Sequence, residues 1–168
     1  FENDETVVLT LGAPTNATLG ATTVHTATIT DNDTAPTVAF DAAAQSVGEA
    51  AGSTTASVTL SAASGLETII PFTASGTAID PDDYSDLDLG SLTIPAGQLS
   101  ATIDLSIVDD LLFEGDESVV LTLGAPTNAT LGATTVHTAT ITDNDTAPTV
   151  AFDAAAQSIG EAAGSTTA

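Results

Sequence analysis

The chain has 168 residues, no Lys or Arg, 23 Asp plus Glu and two His, for a formal net charge of −23. With no side-chain cation beyond a protonated His it cannot neutralise phosphates, so nucleic acid and anionic membrane surfaces are excluded as partners. Schiff-base, arginine-clamp and thiol chemistry are excluded with the absence of Lys, Arg and Cys. Hydrophobic residues at 42% supply a core and argue against disorder, and no run reaches the roughly 18 consecutive apolar residues of a membrane span.

Residues 1–56 return at 113–168 with only three differences, Asn3 against Gly115, Thr6 against Ser118 and Val47 against Ile159. The period of 112 residues is that of a whole domain rather than of a solenoid turn. The expected division is 1–33 as the C-terminal part of a preceding repeat, 34–145 as a complete module, and 146–168 as the N-terminal part of a following one.

Along the complete module, Ala42–Ala44 and Ala50–Ala51 are too short and too closely flanked by turn residues to read as helices. Ser57–Leu60, Ser91–Ile94 and Ala101–Ile107 alternate apolar and polar residues with period two, as half-buried strands do. Val119–Leu123 is a more continuous apolar run, expected as a strand buried on both faces, and Thr134–Ile141 is the last candidate strand. Thr, Val and Ile suit a pleated sheet, and Gly and Pro punctuate the chain at short intervals. The pattern predicts an all-β fold, an antiparallel sandwich of about seven strands. Phe40, Phe72, Phe113 and Tyr84 are expected as core anchors, and His137 as a packed or rim histidine sharing a strand face with Ala139 and Ile141.

The acids gather at Asp80, Asp82 and Asp83, at Asp109, Asp110, Glu114, Asp116 and Glu117, and at Asp143 and Asp145. Asp109 and Asp110 end one predicted strand, Glu117 opens the next and Asp143 ends the last, and no Lys or Arg is available to pair the acids. A hard cation that takes six to eight oxygens relieves such repulsion; magnesium, which keeps its water, suits it less than calcium. The competing reading is a solvated, salt-adapted acidic surface.

Five blocks, in order, make the module resemble the Calx-beta domain family. They are Val38-Ala39-Phe40 with Val47-Gly48-Glu49; Gly76-Thr77-Ala78 with Asp83-Tyr84; Gly90–Gly97; Val108–Glu117; and Ile141-Thr142-Asp143-Asn144-Asp145. The resemblance implies an immunoglobulin-like sandwich and calcium as the bound ion. It implies ligands at Glu49, Asp83, Asp109, Asp110, Glu114, Glu117, Asp143 and Asp145, with the Leu112 carbonyl as a backbone ligand. Repeat copies of these positions are Glu2, Glu5, Asp31, Asp33 and Glu161. Leu111 stands where exchanger domains of the family carry a third consecutive Asp, and Asn144 interrupts the terminal acids while keeping a carbonyl oxygen.

The near-identical repeat, taken with the resemblance, points to a structural segment of an extracellular or cell-surface stalk, adhesin or filament. Its expected partners are calcium ions and neighbouring repeats of the same chain, with lateral self-association of arrays as a further option. A Pro-containing joint at Asp143–Pro148 is expected to leave adjacent modules little freedom. The alternatives are a calcium-sensing regulatory module and a salt-adapted spacer without specific sites. No enzyme is expected: the lone repeated His has no nucleophile partner, and no Gly-x-Ser-x-Gly elbow occurs.

Overall fold

Period-two alternation decides the long strands. In the computed structural model, which describes residues 1–85, 87 and 90–161, the strands are β1 (Glu5–Thr10), β2 (Val24–Ile29), β3 (Thr37–Phe40), β4 (Ala44–Gly48), β5 (Ser53–Leu60) and β6 (Thr68–Gly76). They continue with β7 (Tyr84–Ser85), β8 (Ser91–Ile94), β9 (Ser100–Ile107), β10 (Glu117–Leu123), β11 (Thr130–Leu131) and β12 (Val136–Thr142). A 3-10 turn, Glu49–Ala51, follows β4.

Two five-stranded sheets, ordered β4-β12-β10-β6-β8 and β11-β3-β5-β9-β7, form the sandwich. Its core lies where their inner faces meet. Ala56, Val58 and Leu60 of β5, Ile103, Leu105 and Ile107 of β9, and Val119, Leu121 and Leu123 of β10 are all buried, each set spaced by two. Counting β3 and β4 as halves of one strand that changes sheets, seven long strands build the immunoglobulin-like sandwich, and β7 and β11 are two-residue additions. Pairing is antiparallel except at two edges, where β4 runs parallel to β12 and β11 parallel to β3.

His137 helps hold the strand that changes sheets. It is 2% exposed, its Nδ1 lies 2.8 Å from the Ala42 carbonyl oxygen, and its ring packs on Phe40 at 5.4 Å. The amides of Phe40 and Thr138 complete the crossing by donating to the carbonyls of Thr134 and Ala43.

Three sequence expectations change. Strand β10 is buried on one face only: Val120 is half-buried and Thr122 exposed. Val120 owes its partial cover to its cross-strand neighbours Thr138 and Ser75. Phe113 is no core anchor; it is 53% exposed in the β9–β10 connection, whereas Phe40 and Phe72 are buried and Tyr84 is half-buried. Strand β6 has no counterpart among the predicted elements because Pro71 interrupts its pattern, and proline lacks the ladder donor. Pro71 is tolerated where both ladders end: its pair with Ser91 closes the β8 register, and the β10 register stops one residue away at Phe72. Its carbonyl accepts the Gly124 amide at 2.7 Å.

The repeat provides an internal comparison. Strands β1 and β2 pair in the same register as β10 and β12, Glu5 opposite Ile29 and Glu117 opposite Ile141. Yet every residue of β1 and β2 is exposed. Leu9 is 60% exposed and its counterpart Leu121 is 2% exposed. Truncation of Leu121 to Ala is therefore expected to destabilise the chain by about 2–5 kcal/mol, and truncation of Leu9 to Ala by no more than about 0.5 kcal/mol. Urea unfolding of the two variants checks this; equal effects would mean that the first hairpin also packs in a core.

Candidate metal centre

Topology, rather than sequence proximity, gathers the acids. Strand β9 ends at Ile107, just before Asp109 and Asp110, and β10 starts at Glu117 on the opposite sheet. Ile141 of β12 lies opposite Glu117, so Asp143 and Asp145 emerge at that same end. The parallel pairing of β4 with β12 sets Gly48 beside Thr142, which delivers Glu49 there as well. Tyr84 pairs with Ile107, which brings in Asp83.

Within this end, single carboxylate oxygens of Glu49, Asp110 and Asp145 lie within 4.8 Å of one another. Calcium–oxygen bonds of about 2.3–2.6 Å allow ligand atoms of one ion to stand up to roughly 5 Å apart, so a single ion fits this trio. Backbone amides fix the geometry: Asp110 N–H donates to Glu49 Oε1 at 3.2 Å, Leu112 N–H to Asp110 Oδ1 at 2.7 Å, and Asp145 N–H to Asp143 Oδ1 at 2.8 Å. Glu49 is only 8% exposed. Asp145 Oδ2 is a buried oxygen without a hydrogen-bond partner, a costly state unless another group satisfies it. Burial, followed by the charges of Asp143, Asp110 and Asp109, raises the Asp145 carboxyl above its ordinary value.

A second group adjoins the first. Glu49, Asp83, Glu114, Glu117 and Asp143 line one cleft, with Val108 and Ile141 as apolar lining. Asp83 is oriented by the Ile79 amide, which donates to its Oδ2 at 2.6 Å, and Asp143 Oδ2 accepts the Glu114 amide at 3.0 Å. Glu117 Oε2 is buried and unpartnered, like Asp145 Oδ2. A hydrogen bond shared with Asp83, then burial, then the charges of Asp83 and Glu114, push the Glu117 carboxyl up to about 7. Glu114 is raised in the same direction, by burial first and then by Asp83, Asp110, Glu49 and Asp143. The donor set is all oxygen, anionic and partly desolvated, which suits a hard cation such as calcium.

The sequence pattern of the Calx-beta domain family matches residues 31–146. The chain belongs to the Calx-beta domain family. It is 31% identical over 171 residues to Extracellular matrix protein 3 of Lytechinus variegatus, covering 96% of this chain. It is 32% identical over 90 residues to Extracellular matrix organizing protein FRAS1 of Mus musculus, covering 51% of this chain. The aligned regions span 6% and 2% of those relatives. Among solved structures, the apo form of the Calx CBD1 domain is similar with a TM-score of 0.57 and 23% identity, covering 66% of this chain and 98% of that one. The CBD12 structure of CALX1.2 is similar with a TM-score of 0.56 and 23% identity, covering 64% of this chain and 44% of that one. These structures share the fold.

The remaining sequence-predicted positions of the Calx-beta module divide in two. Asp109 lies beside the trio, where its Oδ1 accepts the Asn144 side-chain amide at 2.8 Å; Asn144 thus braces an acid. Leu112 is exposed, and Leu111 is 90% exposed. Asp80 and Asp82 are exposed and belong to neither the trio nor the cleft lining. The first repeat copy rebuilds the terminal acidic turn by itself: Glu2 N–H donates to Asp31 Oδ2 at 2.9 Å and Asp33 N–H to Asp31 Oδ1 at 3.1 Å. Those two amides hold the Asp31 carboxyl below its ordinary value. Glu5 is exposed on β1, and Glu161 is exposed near the end of the described residues.

One positioning residue carries no charge signal. Gly76 has φ +135°, and a Cβ there would lie 2.0 Å from the Ser118 carbonyl oxygen. The Thr77 and Ala78 amides both donate to that oxygen, at 3.0 and 3.1 Å. This tight crossing fixes the start of β10, and hence Glu117, against the segment that leads to Asp83. The Gly76-Thr77-Ala78 motif marks the position, although no ligand rule singles it out. Gly76→Ala is expected to destabilise the module by about 2 kcal/mol or more, read from the urea midpoint; an unchanged midpoint would show that β10 is placed otherwise.

The raised carboxyls give the metal-free chain a pH signature. A folded value near 7 for Glu117, against an ordinary 4.5, means that the folded state holds a proton the unfolded chain has released. The resulting stabilisation is present in full below about 4.5 and is lost as pH rises through about 7. In EDTA, the melting temperature is expected to fall from pH 5 to pH 8, and Glu117→Gln to flatten that fall. A melting temperature that rises over this interval would contradict the arrangement.

Proposed function

We propose that this chain is a segment of a tandem array of Calx-beta modules in an extracellular or cell-surface structural protein, with calcium holding the acidic end of each sandwich together. One observation carries the reading: Glu117 Oε2 and Asp145 Oδ2 are buried and unpartnered within an acidic end that has no Lys or Arg to neutralise it. Glu49, Asp110 and Asp145 would hold one ion. Asp83, Glu114, Glu117 and Asp143 would contribute to an adjoining position, with Asp109 and the Leu112 carbonyl at its margin. The ion supplies charge neutralisation and cross-links strand ends from both sheets; it performs no chemistry.

The extracellular setting is supported by the names of the two matrix relatives. The tandem division at 1–33, 34–145 and 146–168 is supported by the 112-residue period and by the hairpin β1–β2, which repeats the register of β10 and β12. A spacer uses many equal copies, whereas a sensor needs one or two modules, so the near-identity of the copies favours a stalk or filament over calcium signalling. Among the described residues, no helix is long and apolar enough to cross a membrane.

Thermal unfolding in millimolar calcium against EDTA at matched ionic strength tests the reading. Extracellular calcium modules bind at about 10⁻⁴–10⁻³ M, and ligand at roughly 100 times its dissociation constant adds about 2.7 kcal/mol. A rise in melting temperature is expected with calcium, and its loss in Asp110→Asn with Asp145→Asn. Equal melting temperatures would reject the metal centre and leave a salt-adapted acidic spacer.

A further inference from the structure

The first residues of the chain touch the complete module at a place remote from the strand ladders. The Phe1 carbonyl oxygen accepts hydrogen bonds from the Gly65 amide at 2.9 Å and from the Ser64 hydroxyl at 3.3 Å. Both donors lie in the 61–67 loop between β5 and β6. That loop is braced from within: Ser64 is 2% exposed, its hydroxyl accepts the Leu66 amide at 3.0 Å, and its carbonyl accepts the Gly97 amide at 2.8 Å. Gly65 lies outside the left-handed region, so its backbone does not itself demand glycine. A Cβ there would instead stand 3.1 Å from Glu2 Cβ and 3.2 Å from Glu2 Oε2. A side chain larger than a methyl at Gly65 would therefore crowd Glu2 and the Phe1 carbonyl.

The Phe-Glu turn that makes this contact recurs at the far end of the module as Phe113-Glu114. It is pinned in the same way, by the Glu114 amide on Asp143 Oδ2 at 3.0 Å, as the Glu2 amide is pinned on Asp31 Oδ2 at 2.9 Å. There Leu111, Leu112 and Phe113 are 90%, 61% and 53% exposed, whereas Phe1 is half-buried. One end of the module thus presents the surface that its other end receives. This is a heterologous contact, which extends into an open chain when its rotation does not close a ring.

We propose that the 61–67 loop is the docking face for the Phe-Glu turn of the preceding module, so that successive copies join head to tail through a fixed backbone contact as well as through the linker. The proposal rests on the tandem-array reading and specifies its joint. It uses a carbonyl, an amide, a hydroxyl and a glycine, and requires no ion.

The test is amide exchange at residue 65 together with ¹⁵N relaxation, on the whole 168-residue chain and its Gly65→Val variant, each in calcium and in EDTA. In the unaltered chain the residue 65 amide is expected to be protected by about tenfold or more over an open amide, with hairpin β1–β2 and the sandwich tumbling as one body in both media. Gly65→Val is expected to abolish that protection and release the hairpin, while core amides of β5, β9 and β10 keep theirs, which shows that the variant folds. Should the valine variant not fold, Gly65→Ala, whose Cβ would stand only slightly too close to Glu2, is expected to lower the protection without abolishing it, and protection unchanged from the unaltered chain would overturn the proposal. An unprotected residue 65 in the unaltered chain, or equal protection in a folded variant, would overturn the proposal. Calcium binding without residue 65 protection removes the joint and leaves the metal centre, and protection without calcium binding does the reverse.

Discussion

Electrostatic repulsion at one end of the sandwich is the constraint around which the module is organised. Like charges about 4 Å apart at an effective dielectric near 20 repel by roughly 4 kcal/mol, and the chain has no Lys or Arg to offset this. The folded chain answers in part with its own groups. Backbone amides of Asp110, Leu112, Glu114 and Asp145 each donate to a neighbouring carboxylate, and the Glu117 carboxyl, raised to about 7, is held closer to its neutral form. Those donors do not reach the buried oxygens of Glu117 and Asp145. A cation that accepts many oxygens would satisfy both, which is the role proposed for calcium.

The repeated segment separates what is local from what is not. Hairpin β1–β2 keeps the register of β10–β12, and the Asp31 turn keeps the amide pattern of the Asp143 turn. The left-handed Asn16, at φ 56°, matches Asn128 at φ 58°. These features belong to the segment itself. Burial does not: Val119 and Leu121 are covered while Val7 and Leu9 are not, because cover comes from β5, β6 and β9. The trio of Glu49, Asp110 and Asp145 is likewise non-local, joining three segments that only the closed sandwich brings together.

Much of this was legible in the sequence. Period two placed β8 to the residue and β9 to within one, and caught the second half of β5, because half-buried antiparallel strands write their burial directly into alternation. The acid clusters at strand ends were also readable as positions, since turns and strand ends are punctuated by Gly and Pro. What stayed hidden depended on pairing. Strand β6 was masked by Pro71, tolerated because its ladders end there. The parallel edge pairing that carries Glu49 to the acids has no local signal, and neither does the exposure of Phe113, whose aromatic character alone suggested a core. Alternation also cannot report the division of the acids into a trio and an adjoining cleft, because side-chain direction beyond the strand ends is set by loop amides.

The acidic end is proposed to be a coordination site rather than a diffuse anionic surface. Calorimetric titration of the chain with calcium, in low salt and again in about 1 M NaCl where the Debye length is roughly 3 Å, tests it most directly. A coordination site should give saturable binding that weakens but survives high salt and that equimolar magnesium does not reproduce. Binding that vanishes in high salt, or that magnesium matches ion for ion, would show a diffuse anionic surface instead.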